Sequence, residues 1–172
     1  MPFRKGLLII SLPLYLLDQV TKWLIVLNFK EPNPPMGFFD FKTVIPGFFD
    51  IVRVHNTGIA FGRFNGGEHS NLIFSIISIA AVGFLTYLWK SDAFSTKPSR
   101  LAAFLLLPGI FGNLTDRFVH GYVVDFLHFD LQFMIWPSFN VADACICVAA
   151  GLLFISALIE GRAEAKKTSP SE

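Results

Sequence analysis

The sequence predicts a mainly α membrane protein with four transmembrane helices and a small extracytoplasmic sheet between the first two. Three observations lead there. Of 172 residues, 53% are hydrophobic and only 16% charged, with a mean hydropathy of +0.55, a balance that suits a bilayer better than a soluble core. Four apolar stretches, 6–27, 71–89, 101–120 and 139–159, each reach the about 20 residues that span a hydrocarbon layer. The basic residues then sort by side, as the positive-inside rule requires. The length suits one integral-membrane domain, 1–172.

The first stretch follows Arg4 and Lys5 and so resembles a signal peptide, but no A-x-A site follows and the apolar pattern runs on through Trp23. It is therefore read as a retained span. Lys90, Lys97 and Arg100 lie between the second and third spans, and Arg162, Lys166 and Lys167 follow the fourth. With alternating helices these fall on the same side as Arg4 and Lys5, which places both termini in the cytoplasm. The connection 121–138 carries no Lys or Arg, and in 28–70 four basic residues are balanced by four acids. Both connections are read as extracytoplasmic.

The first outer connection is more than a linker. EPNPPMG is turn-rich, and VIPGFFDIVRVHN supplies the aromatic and β-branched residues of short strands at a membrane surface. The region is expected to form a platform on the bilayer. The tail 161–172 is polar and expected to be disordered in the cytosol.

Several chemistries are excluded or disfavoured. A net charge of +1 offers no field for nucleic acid, and no motif for it is present. HExxH and GxSxG are absent, and the four histidines are scattered, so no metal site is predicted. A Ser–Lys dyad fails because Ser11, the serine of span one, lies 22 − 11 = 11 residues from Lys22. Cys145 and Cys147 are two apart on a helix, point in different directions, and read as small apolar side chains.

The polar residues within the spans agree in depth. With a rise of about 1.5 Å per residue, Asp18 lies roughly 13 Å below the outer end of span one, Asn113 roughly 10 Å below that of span three, and Asp143 about 6 Å into span four. Charge inside a span is costly, so each such residue is a functional hypothesis, and one shared site near the outer surface accounts for them all. Asp18 and Lys22 are i,i+4 partners, and Asn113, Asp116 and Arg117 share a helix face. Both groups also suit a purely structural role. Asp143 has a plain alternative too: with Asn140 as N-cap, it is the third helical residue of a capping box. If it is chemical, it needs a second carboxylate, and Asp125, Asp130 and Asp116 are all candidates. A close pair cannot both ionise easily, so an acid beside a base could activate water against a peptide bond without metal or cofactor.

Five motifs occur in order: DQVTK (18–22), NTGIAFG (56–62), GNLTDR (112–117), VVDF (123–126) and FNVAD (139–143). The chain resembles the lipoprotein signal peptidases, bacterial signal peptidase II, over nearly its whole length. The resemblance implies an intramembrane aspartic endopeptidase of the bacterial inner membrane, monomeric and without cofactor. Such an enzyme would remove signal peptides from diacylglyceryl-modified prolipoproteins, cutting just before the lipidated cysteine near the outer leaflet. It implies a catalytic dyad of Asp125 and Asp143, with Asp18, Lys22, Asn56, Gly58, Asn113, Arg117 and Asn140 shaping or supporting the site. It also implies an extracytoplasmic β-cradle at about 42–65. One departure, KEPNPPMGFFDF, lengthens the connection after span one but lies outside the motifs. Two rivals are a small transporter or channel, for which the nearly uncharged LLIISLPL and LAAFLLL offer no polar path, and a non-catalytic assembly factor.

Overall fold

The computed structural model describes residues 3–32, 40–58 and 69–168. Among them are four long helices, α1 (Phe3–Asn28), α2 (Ser70–Lys90), α3 (Lys97–His120) and α4 (Val141–Thr168), and four strands, β1 (Phe41–Ile45), β2 (Phe49–Asn56), β3 (Val123–Asp130) and β4 (Ile135–Phe139). By length and composition α1, α2 and α4 could each cross a membrane. The 24-residue α3 is long enough, but it carries Lys97, Arg100, Asp116 and Arg117 and is less apolar. It is the central helix: α1, α2 and α4 all pack on it, α4 most extensively. Large apolar side chains of the other helices, such as Leu16, Leu17 and Val20 or Ile73, Ile76 and Ile77, point outward and exposed. That is the surface expected where lipid replaces water.

Two prolines shape the contact between α1 and α3. Pro13 has no N–H, and the turn before it widens into a π turn over Leu7–Ser11, in which the Leu12 N–H reaches the Leu7 carbonyl. Pro108 sits inside α3 and leaves the Phe104 carbonyl without its helical donor. The Ser11 hydroxyl donates to that carbonyl at 2.8 Å, filling the gap across the two helices where no water is at hand. Helix α3 starts at a Thr96–Ser99 capping box and stops at Gly121, whose φ of 79° is the left-handed end that glycine accepts freely.

The four strands form one antiparallel sheet in the order β1-β2-β3-β4. This corrects the expected sheet confined to the first outer connection. Half of it comes from the connection between α3 and α4, where VVDFLHFD is rich in the β-branched and aromatic residues that favour strands. Within the expected 42–65 platform, 59–65 lies outside the described residues, as do 59–62 of the NTGIAFG motif and 33–39 of the lengthened connection. Arg53 fastens the sheet to the membrane part. Buried on β2, it donates to the last carbonyls of α1, Val26 at 3.2 Å and Phe29 at 2.9 Å. A bulge between Ile51 and Val54 brings Val54 opposite Asp125 on β3.

The tail is the second correction. Instead of becoming irregular at about 161, α4 continues through Thr168. Ala, Glu, Arg and Lys dominate this stretch and are strong helix formers, and the lysines at its end suit the helix C-terminus.

Candidate active site

Three elements meet where α3 ends and α4 begins: the inner strand β3, the last turns of α3, and the first turn of α4. Asp143 lies in that first turn. Its N–H donates to Asn140 Oδ1 at 2.9 Å, and its Oδ2 accepts the Asn140 N–H at 3.3 Å. The capping box is therefore present, with asparagine and aspartate in the usual Ser and Glu places. Its other oxygen is not used by the cap. Oδ1 accepts from Asn113 Nδ2 at 2.7 Å and, half-buried, faces an open cleft. Cap and site thus use different atoms of one carboxylate.

Asp125 approaches from β3. It is 2% exposed, and each of its oxygens is held by an amide: Oδ1 by Asn140 Nδ2 at 2.7 Å, Oδ2 by Asn56 Nδ2 at 2.9 Å. Asn56 is oriented in turn by the Gly58 N–H, which donates to its Oδ1 at 3.0 Å. Asn140 therefore grips both carboxylates, that of Asp143 through its backbone N–H and that of Asp125 through Nδ2, while its Oδ1 accepts the Asp143 N–H. Burial, and after it the neighbouring charge of Asp143, push the Asp125 carboxyl up to about 7, against the pull of the Asn56 and Asn140 hydrogen bonds.

Beneath the two lies a buried charge cluster. Lys22 Nζ is 2.9 Å from Asp18 Oδ2, 3.1 Å from Asp116 Oδ2 and 3.1 Å from Asn113 Oδ1, and Asp18, Lys22 and Asp116 are at most 3% exposed. An ammonium only donates, so the Asn113 oxygen must face Lys22, which turns its NH2 toward Asp143. The two acids reach outward as well: Asp18 Oδ1 accepts the Ala142 N–H at 2.8 Å, and Asp116 Oδ2 accepts the Val124 N–H at 3.0 Å. One anchors the turn that carries Asp143, the other the strand that carries Asp125. The other sequence-level candidates lie elsewhere in role, since Asp116 is taken up by this cluster and Asp130 holds the Gln132 N–H in the exposed β3–β4 turn at 2.8 Å.

The cleft, about 360 Å³, is walled by Asn56, Phe74, Arg117, Trp136, Phe139 and Asp143 among others. Arg117, which shares a helix face with Asn113, donates to the Asn113 carbonyl at 3.3 Å and lies 5.4 Å from the centre of the Phe74 ring. Two contributors escaped the sequence reading. Gln19 donates to Asp18 Oδ2 at 3.1 Å, to the Gly112 carbonyl at 3.2 Å and to Asp116 Oδ1 at 3.3 Å. It stands inside DQVTK, but only ionisable residues were weighed there, and a buried amide is nearly as informative. Trp136 comes from β4, in a connection whose aspartates, not its aromatic residues, point to a site.

The pattern of the family described as Signal peptidase (SPase) II matches residues 10–159, taking in every element of this site. The chain belongs to the signal peptidase II family. It is 40% identical over 161 residues to the lipoprotein signal peptidase of Syntrophotalea carbinolica, covering 92% of this chain and 94% of that one. It is 36% identical over 156 residues to the lipoprotein signal peptidase of Symbiobacterium thermophilum, covering 90% and 95%. A solved bacterial membrane enzyme superposes with a TM-score of 0.80 at 29% identity, covering 99% of this chain and 95% of its own. The protein is accordingly a membrane protease that removes signal peptides from prolipoproteins, and its aspartic type follows from the family.

Proposed function

We propose that Asp125 and Asp143 are the catalytic dyad, and that the enzyme cleaves diacylglyceryl-modified prolipoproteins immediately before the lipidated cysteine. The observation that carries this is the double grip of Asn140, which ties two carboxylates from different elements at the edge of one cleft. Between them the pair holds one proton. The ionised partner draws a proton from water as it attacks the scissile carbonyl, and the protonated partner passes its proton to the leaving amine. Asn56 and Asn113 aim the carboxylates, Gly58 aims Asn56, and Asp18 and Lys22 hold the elements beneath. Arg117, facing the cleft beside Phe74, is suited to a substrate carbonyl.

In this reading the chain is one domain of four spans in the bacterial inner membrane, monomeric, with both termini cytoplasmic and the sheet on the outer surface. The polar half of α3 is tolerated because the cluster around Lys22 neutralises it inside the bundle. The substrate's signal helix arrives sideways through the outer leaflet and its acyl chains stay in lipid. Incubating the purified enzyme with a diacylated prolipoprotein and sequencing the new N-terminus tests the cleavage position. The lipidated cysteine should be the first residue, and a cut anywhere else refutes the substrate assignment.

A further inference from the structure

Far from the dyad, α1 and α2 make little direct contact with each other and lean separately on α3. The gap is an apolar groove of about 500 Å³ with Leu7, Leu12, Val82, Thr86, Leu107 and Phe111 on its walls. A second cavity, about 150 Å³, continues it toward the Phe3 end, sharing Phe3, Thr86 and Leu107 and finishing at Lys90. The mouth is framed by aromatics, with the Phe3 and Trp89 rings 4.6 Å apart. That contact brings the first turn of α1 beside the end of α2, so Arg4 and Lys5, exposed in the same turn as Phe3, lie near the exposed Lys90 that closes the second cavity. Of the acids at this end, Glu160 is engaged by Ser95 and Ser156.

A long apolar slot open to lipid, capped by aromatics and then by cations, has the order of parts of a phospholipid: acyl chain, interface, phosphate. From this geometry we infer a binding site for one anionic phospholipid of the bilayer, its chain in the α1–α2 groove and its phosphate at Arg4, Lys5 and Lys90. The site lies at the end of the bundle opposite the sheet and uses none of the catalytic residues. Only the leaflet that supplies the lipid depends on the orientation proposed above; with the Phe3 end cytoplasmic it is the inner one. The bound lipid would fill the space between two helices that do not pack on each other.

Native mass spectrometry of the full-length protein in detergent, offered equal amounts of phosphatidylglycerol and phosphatidylethanolamine with identical chains, tests this directly. Phosphatidylglycerol should be retained about fivefold or more over its neutral counterpart, as expected for several basic residues around one headgroup. The surface variant Arg4→Gln/Lys5→Gln/Lys90→Gln should bring that ratio to about one while still cleaving prolipoprotein, the readout of an intact fold. Val82→Trp, which fills the groove, should lower retention of both lipids. Equal retention of the two lipids by the unmodified protein, a preference that survives the triple variant, or undiminished retention by Val82→Trp each overturns the proposal. Lipid retention does not require an active dyad, so it is read independently of whether Asp125 and Asp143 are catalytic.

Discussion

At the scale of single residues, the site is a set of amides holding carboxylates. Asn140 touches both aspartates, so Asn140→Ala should lower kcat/KM by about a hundredfold or more, since catalysis depends on groups held in place before the reaction. Steady-state cleavage of a prolipoprotein peptide measures this, and a loss below tenfold would remove Asn140 from its bridging role. The raised Asp125 pKa fixes a pH dependence. Above about 7 Asp125 gives up its proton and the acid it supplies to the pair is lost, so activity should fall as pH rises through that value. Stability follows the same sign. Because the folded pKa exceeds the unfolded one, burying the charged carboxylate destabilises the fold above about 7 and costs little below the unfolded value of about 4. Asp125→Asn removes that titration, so its Tm relative to the parent should increase from pH 5 to pH 8. A constant difference across the range would show that Asp125 is not buried as a shifted acid.

Lys22 joins Asp18, Asp116 and Asn113 through one ammonium. Lys22→Met leaves two buried acids without their cation, which typically costs about 3–5 kcal/mol. Thermal unfolding in detergent should show the loss, and activity should fall with it because Asn113 is free to turn away from Asp143.

At the scale of elements, the fold brings α1, α3, α4 and β3 to one point by close approach. A Cβ built on Gly112 would lie 2.5 Å from Asp18 Oδ2 and 2.9 Å from the Ala142 Cβ. The Asp18 oxygens bind Lys22 and the first turn of α4, so they cannot yield cheaply. Gly112→Ala should therefore cost about 1–3 kcal/mol and displace Asp143 as well. A variant with unchanged Tm and activity would show that α3 and α4 have slack here.

The elements also show what could be read in advance. The helices were legible because an apolar run of about 20 residues has few other uses. That Asp18, Asn113 and Asp143 lie at one level of the bundle was legible because a helix has a fixed rise, and the Asn140–Asp143 cap because it is local. Strands β3 and β4 were missed: YVVDFLHFD drew notice for its aspartate, and nothing local says that it pairs with a strand some 70 residues earlier in the chain. The choice of Asp125 over Asp116 and Asp130 was invisible to spacing for the same reason and came from the family motifs. Which partner Arg117 meets, the Asn113 carbonyl, was not legible because spacing shows which face a side chain shares, not the partner it meets there.

At the scale of the whole molecule, a membrane-embedded bundle carries a water-using site at one end, with an aromatic sheet beside it. The proposed orientation predicts that a cysteine placed at Gln132 in the β3–β4 turn, in a chain lacking Cys145 and Cys147, reacts with a membrane-impermeant thiol reagent applied from outside. A cysteine at Arg162 should react only after the membrane is opened. The reverse pattern would invert the topology and set the dyad at the wrong leaflet for an exported substrate.

In the proposed mechanism Asp125 and Asp143 together perform the cleavage. Its most direct test compares the purified enzyme with Asp125→Asn and Asp143→Asn on one diacylated prolipoprotein, with mass spectrometry of the products and a thermal melt of each protein. Each variant should remain folded and release no signal peptide under conditions where the parent reacts to completion. Full processing by either variant would contradict the account.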